Sequence, residues 1–310
     1  MREPLVSVYV PTRNRASALP RAVKSALQQD YPHLEILVVD DASSDSTPEV
    51  SRRLAALDPR VRVFRNEFPL GASAARNRAI REARGEFVTG LDDDDLMLPG
   101  RVRSLLEAQR DEYAFVCSAY YVIDLKGDWY DVRGSTRAVI DLDQLLLRNE
   151  VGNQVLARLD RVREAGMFDE SQPAWQDYEF WTRMVMRYGA ALRIPEPTYV
   201  FFASASPDTI TNSVAAIEGA LRYFERYAQC MGADQRMSQH LLQAMVQRRR
   251  LTLRDVRECW CEATSRQLLR YYLRSNLPKF ERLLGKYRRW RRPLDRLPGA
   301  AAAALCETAD

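Results

Sequence analysis

Four times in the first hundred residues a short apolar run ends in a polar loop that leads into an amphipathic segment. Leu5 to Val10 closes on Pro11, Thr12, Arg13 and Asn14 before a helical stretch from Ser17 to Gln29. Glu35 to Val39 ends in Asp40 and Asp41, then Ala42 to Asp45, with Pro48 at a helix start. Val61 to Arg65 is followed by Leu70 to Ser73 and a helix from Ala74 to Arg84. The run from Gly85 to Leu91 delivers Asp92, Asp93, Asp94 and Asp95, and Pro99 opens the next helix. Strands alternating with helices at this spacing build βαβ units, so the expected fold is α/β with a mainly parallel sheet flanked by helices. In such sheets ligands bind beyond the carboxyl ends of the strands. The loops that close each run are therefore the places to look for chemistry.

The aspartates are the sharpest of these loops. Four adjacent carboxylates repel at neutral pH, and a folded chain keeps them together on an open, solvated turn or around a cation. Acidic runs are in general solvated surface. Position after a buried strand favours the cation, and the residues alone leave both readings open.

Composition bounds the rest. A chain of 310 residues, 46% hydrophobic and 28% charged, is long enough for one large α/β domain with a smaller appendage. Two histidines and five cysteines without zinc spacing argue against a zinc or two-histidine iron site. Scattered cysteines fit a reducing cytoplasm. The amino-terminal run is too short for a signal peptide, and no run approaches the roughly 20 apolar residues of a membrane span. The net charge of +4 conceals about +9 between Arg266 and Arg296, which leaves the first 265 residues mildly acidic. From about Val214 the pattern turns helical with no convincing strand, so the expected division lies near Asn212, with residues 1–212 the α/β domain and 213–310 a basic helical region. Within it, Leu277 to Arg292 is a basic amphipathic segment suited to an anionic membrane interface or to packing on the domain with a solvated basic face. The Ala300 to Ala304 tail is expected to fray. An acidic cleft and the absence of a known module exclude nucleic acid as a partner.

The ordered set VSVYVPTRNR, EILVVDDASSDST, LGASAARNRAI and FVTGLDDDDLMLP resembles the nucleotide-binding half of the family 2 glycosyltransferases, which have the GT-A fold. The resemblance covers about two thirds of the chain, and Arg13 departs from the aromatic residue common before the Asn. It implies a nucleotide-diphosphate sugar as donor. Pro11, Thr12 and Arg13 would lie beside the base, Asp41 would accept a hydrogen bond from a pyrimidine ring N–H, and Arg76 would contact base or phosphate. Arg76 paired with an aspartate is the plainer alternative. The family pattern of Asp, any residue, Asp maps to Asp92 and Asp94. Asp94 would ligate Mg²⁺ or Mn²⁺, Asp92 would lie near ribose or metal-bound water, and Asp93 would be a further nucleotide contact.

The segment from Glu112 to Ile123 reads as a strand, with a return strand at Trp129 to Val132 making a hairpin. VGNQVLARLDRVREAGMFDESQPAWQDYEFWTRM then resembles the second family signature. Phe180, Trp181 and Met184 have helical spacing and read as core. By resemblance Asp177 is the general base that takes the acceptor hydroxyl proton in one inverting displacement, with a helix cap as its bland reading. Glu179 is the reserve candidate on the acceptor side, and Trp175 would stack on the sugar or pack in the core. Ser206 stands where relatives often carry a metal-shell His, which leaves Ser206 and Asp208 as weak contributors or the metal on Asp94, phosphate and water. The expected activity is transfer of a sugar from a UDP or dTDP donor to a glycan or lipid-linked acceptor in cell-surface polysaccharide or lipopolysaccharide synthesis. Its expected place is the cytoplasm or the inner face of the cytoplasmic membrane. The rival readings are a sugar nucleotidyltransferase, against which the loop PTRNRASALP lacks glycines, and a non-catalytic glycan or nucleotide-binding module or membrane scaffold.

Overall fold

The computed structural model of the chain describes residues 3–124, 129–152, 154–203, 214–262, 264–276 and 292–306. Two strands, β1 (Val6–Thr12) and β2 (Leu34–Asp40), are buried along their whole length. Continuous apolar runs of this kind belong in the middle of a sheet covered on both faces. Both lie there: β3 (Val61–Arg65), β2, β1 and β4 (Phe87–Gly90) are successive parallel neighbours. The two-residue period of a strand divides their side chains. Val6, Val8, Val10, Ile36 and Val38 pack with Leu19, Ala22, Val23 and Ala26 of α1 (Leu19–Leu27). Tyr9, Leu37, Val39 and Val88 face the other way, onto Ala75, Ala79 and Ile80 of α3 (Ala72–Glu82). Between β2 and β3, α2 (Thr47–Leu57) opens with Pro48 in its first turn.

Beyond β4 the sheet becomes mixed. After the aspartates comes a two-residue strand, β5 (Leu96–Met97), and only then α4 (Arg101–Ala108), two residues later than Pro99 suggests. The hairpin of β6 (Val116–Asp124) and β7 (Trp129–Arg133) forms as expected and is antiparallel. A short β8 (Ala138–Ile140) and α5 (Leu142–Leu147) precede β9 (Leu156–Arg158), which bridges β4 and β6 antiparallel to both. Next come α6 (Leu159–Glu164), α7 (Gln176–Tyr188) and the 12-residue β10 (Ala191–Phe202). Sequence reading missed β10 because Pro195 and Pro197 argue against a strand. Its register against β6 shifts between Ile194 and Pro197 and again between Pro197 and Tyr199, so the prolines sit at irregularities.

The helical change at Asn212 does not coincide with a break in the core. Tyr223 and Tyr227, on α8 (Val214–Tyr227), share a buried cluster with Tyr9, Phe168 and Trp181. A separate small core, with Leu241, Ala244, Leu251, Cys259 and Leu268, holds α9 (Ala233–Val246), α10 (Leu253–Glu258) and α11 (Ser265–Asn276) together. The chain then returns to the sheet: β11 (Arg292–Pro293) pairs with β7, and Tyr130 donates its hydroxyl to the Arg296 carbonyl at 2.8 Å. The alanine tail forms α12 (Gly299–Cys306), whose Ala301 is buried against Leu96, Tyr121 and Tyr130, so its small side chains dock the helix and the expected fraying is not found. The basic segment from Leu277 to residue 291, Ser206, Asp208 and the hairpin turn at Lys126 to Asp128 lie outside the described residues.

Candidate active site

The four aspartates solve their mutual repulsion by dividing their surroundings. Asp95 turns inward, where it accepts from the Tyr199 hydroxyl at 2.9 Å and from the Phe202 amide at 3.0 Å, so it anchors the turn to β10. Burial, then the charges of Asp92 and Asp94, push its carboxyl well above the usual range. Asp92 accepts from Arg76 Nη2 and from Gln154 Nε2, both at 3.0 Å on the same Oδ1. Asp93 and Asp94 face Arg15, whose Nε and Nη2 stand 3.9 Å from one oxygen of each. Arg21 Nη2 clamps the turn from outside by donating to the Asp94 carbonyl at 2.8 Å. Burial pushes Asp93 up to about 7, helped by Asp94 and Asp92 and opposed by the neighbouring Thr12 hydroxyl and Arg15. Asp94 is raised for the same first cause, and its side chain is the more open of the two, 43% exposed against 13%. Asp93 and Asp94 are the side chains of this turn that could hold a divalent cation in place of the guanidinium. Among the described residues no three acidic, His or Cys side chains form a complete cage. Mg²⁺ and Mn²⁺ do not need one when substrate phosphates share the shell.

On the neighbouring loops, β1 ends at the buried Pro11 and Thr12, and Arg13 is exposed. Asn14 and Ala42 take left-handed backbone angles, φ 53° and 54°, and Asn14 ties the two loops by accepting from the Ser44 amide at 2.8 Å while its own amide donates to Ser43 Oγ at 2.9 Å. Such conformations persist in non-glycine residues only where the surroundings hold them. Asp41 Oδ1 accepts from Asn66 Nδ2 at 2.8 Å and Leu70 N at 2.9 Å, and Oδ2 from Gly71 N at 2.8 Å. The carboxylate thus fastens the loop that starts α3. Arg76, near the start of that helix, pairs with Asp92 and lies over the Phe168 ring at 5.4 Å, so the plainer alternative describes this state.

Asp177 opens α7 and is half-buried. Burial raises its carboxyl, Arg76 opposes and Asp92 adds, so the fold brings it into the same electrostatic neighbourhood as the aspartate turn. Trp175, immediately before the helix, is left-handed at φ 61° and packs on Tyr178 and Tyr223 at ring distances of 5.5 and 6.0 Å, which makes it a partly buried extension of the core. Glu179 points elsewhere. Its side chain is fully buried and accepts from Arg183 Nη2 at 2.8 Å, Arg226 Nη1 at 2.7 Å and Tyr227 Oη at 2.9 Å. Two residues along the helix rotate residue 179 away from residue 177 by about 200°, so the reserve base is a core ion pair. Phe180, Trp181 and Met184 are core, as their spacing indicates.

Sequence reading missed the floor of the site. Tyr9 donates its hydroxyl to Gln154 Oε1 at 3.1 Å, above Gly90, where a Cβ would stand 1.8 Å from that oxygen and 2.3 Å from the Tyr9 ring. Arg101, 1% exposed, donates to Ser118 Oγ, Thr198 Oγ1 and the Gln154 carbonyl, and burial lowers it to about 10. A glycine ending a strand at a polar turn was the one signal of close approach.

The model of the family described as glycosyl transferase family 2 matches residues 7–165. The putative colanic acid biosynthesis glycosyl transferase WcaA of Escherichia coli strain K12 is 33% identical over 260 residues, covering 82% of this chain and 92% of that protein. A GalNAc(5)-diNAcBac-PP-undecaprenol beta-1,3-glucosyltransferase of Campylobacter jejuni is 43% identical over 114 residues, 36% of this chain and 37% of that one. Among solved structures, the mannosyltransferase PcManGT of Pyrobaculum calidifontis, in complex with GDP-Man and Mn²⁺, has a TM-score of 0.58 at 19% identity, covering 99% of this chain and 86% of that one. S. aureus TarS 1-349 in complex with UDP-GlcNAc also has a TM-score of 0.58, at 17% identity, covering 88% and 73%. The fold is the GT-A glycosyltransferase fold of these neighbours.

Proposed function

This chain belongs to glycosyl transferase family 2, and from that premise we propose that it is an inverting glycosyltransferase that uses a UDP or dTDP sugar. The observation that carries the reading is the Arg76–Asp92 pair, at 3.0 Å, beside Asp93 and Asp94 on the Arg15 guanidinium, with the half-buried Asp177 of a third segment near enough for the Arg76 and Asp92 charges to act on its carboxyl. Asp177 takes the proton of the acceptor hydroxyl as its oxygen attacks the anomeric carbon. The raised titration of its carboxyl brings it nearer the pH at which a base both exists deprotonated and holds the proton well. One displacement on the face opposite the leaving group inverts the configuration. Arg76 and Arg15, now paired with Asp92 and Asp93, would pair with the diphosphate as it departs. Asp94, with Asp93 beside it, would hold Mg²⁺ or Mn²⁺, which when bound supplies neutralisation of the departing diphosphate. Asp92 would meet the ribose or a metal-bound water, and Trp175 would border the sugar.

The base preference follows from counting lone pairs. An ionised carboxylate has about four acceptor directions, and three on Asp41 are already taken by Asn66, Leu70 and Gly71. One remaining direction suits the single ring N–H of uracil or thymine, while guanine presents adjacent ring and amino donors that call for two. Pro11, Thr12 and Arg13 flank that place.

The relatives' names support a setting in bacterial cell-surface polysaccharide or lipopolysaccharide synthesis, with a glycan or lipid-linked acceptor. No helix among the described residues is long and apolar enough to cross a membrane, and the charge between 266 and 296 supports attachment to the anionic inner face of the cytoplasmic membrane. A donor panel tests the core of the reading. UDP, dTDP and GDP sugars are followed by thermal shift and slow hydrolysis with and without Mn²⁺. Metal-dependent stabilisation and turnover with a uridine or thymidine donor, lost in Asp94→Ala, is the expected result. A folded sample silent to every donor would return the chain to a non-catalytic binding module, and a GDP sugar preferred tenfold would overturn the lone-pair argument.

A further inference from the structure

Beneath the aspartate turn a neutral amide links two ionisable groups. Gln154, 4% exposed just before β9, donates from Nε2 to Asp92 Oδ1 at 3.0 Å and accepts at Oε1 from the Tyr9 hydroxyl at 3.1 Å. The direction of this chain is forced. Asp92 Oδ1 already accepts from the Arg76 guanidinium, so the amide nitrogen faces it as a second donor, and the amide oxygen is left for the phenol proton. The backbone carbonyl of the same residue accepts from the buried Arg101 at 3.3 Å, and Gly90 leaves the space that lets the amide approach.

Asp92 Oδ1 therefore has two donors of different character. Arg76 is charged and 15% exposed, and an entering phosphate gives it a second anion to pair with. Gln154 is neutral and buried, and it gains nothing from an anion. The geometry points to Gln154 as the positioning residue for Asp92: it holds the carboxylate from below while Arg76 exchanges between Asp92 and the diphosphate. This rests on the reading that a nucleoside diphosphate binds here. A glutamate at 154 would set a second acceptor against Asp92 while still accepting from Tyr9, whereas methionine keeps the volume and removes both the donor to Asp92 and the acceptor for Tyr9.

The test uses the full chain with Gln154→Met and Gln154→Glu. Binding of UDP with Mn²⁺ is measured by titration calorimetry, and dTDP and GDP are run in parallel. Outer hydrogen-bond partners of such sites typically change affinity or activity by about 10- to 100-fold. The expected order is wild type tightest, Gln154→Met about tenfold weaker, and the isosteric Gln154→Glu weakest. With a turning-over donor, both variants should lower kcat more than they raise KM. Unchanged affinity in Gln154→Met, or a glutamate variant better than the methionine one, would overturn the role. If wild type binds none of the three nucleotides, the functional reading fails on its own. A double-mutant cycle of Gln154→Met with Asp92→Ala, read as urea midpoints, then decides the link: non-additive midpoints support it, and additive ones refute it. The same cycle decides if the glutamate variant does not fold.

Discussion

Glu179→Ala and Asp177→Asn should fail in opposite ways although the residues lie two apart on one helix. Glu179 is fully buried and compensated by Arg183 and Arg226 with a hydrogen bond from Tyr227. Removing one partner of a buried ion pair costs about 3–5 kcal/mol, because the other charge is left without compensation. Here the two arginines are 28% and 42% exposed, and Arg226 keeps Asp169 at 2.6 Å, so both can lean on water or on the remaining carboxylate. That places the loss at the lower end, about 3 kcal/mol, a large part of the roughly 5–15 kcal/mol that holds a domain together. Asp177 differs. Burial favours its neutral form, so Asp177→Asn removes a disfavoured charge and should leave the urea midpoint unchanged or slightly higher while abolishing transfer. Urea unfolding by far-UV circular dichroism, with turnover measured on folded samples below the transition, separates the two. A Glu179→Ala chain with the wild-type midpoint and no turnover would refute the division of roles.

Gly90→Ala should cost about 1–3 kcal/mol from overpacking and reduce nucleotide binding, because the new methyl group must displace Gln154 and Tyr9; calorimetry with UDP and Mn²⁺ checks it. In chelator, Asp93→Asn should raise stability at pH 8 and lose that advantage as the pH falls toward 4. The sign follows from a folded carboxyl at about 7 against an ordinary 3.8: the folded chain keeps a proton that the unfolded one releases, so wild-type stability falls as pH rises between those values. At about 1.4 kcal/mol per pH unit the gain reaches at most about 4 kcal/mol. A midpoint difference independent of pH would count against the burial of Asp93.

Much of the amino-terminal half is legible because β1, β2 and β4 are largely apolar runs bounded by polar loops. Val61–Arg65 falls where the run suggests, and Asp92 to Asp95 stand at the mouth of β4. What sequence reading loses is set by partners distant along the chain. Tyr199 and Phe202 give Asp95 its role from more than a hundred residues away, and nothing in a row of identical aspartates tells one from the next. Likewise Glu179 reads as an acidic residue in a catalytic signature until Arg226 reaches it from α8. β10 hides behind two prolines that its bulges accommodate.

The inward turn of Asp95 changes how variation along the run should be interpreted. A scan of the four aspartates scored by activity alone would place Asp95 among the residues that touch substrate, since a slackened turn disarms Asp93 and Asp94 together. Scored by heat resistance, the same scan would single it out as part of the scaffold. Natural or engineered chains that shuffle acidic residues at 92 to 94 keep the anchor of the turn, whereas those that change 95 must first rebuild the hinge between this turn and the end of β10.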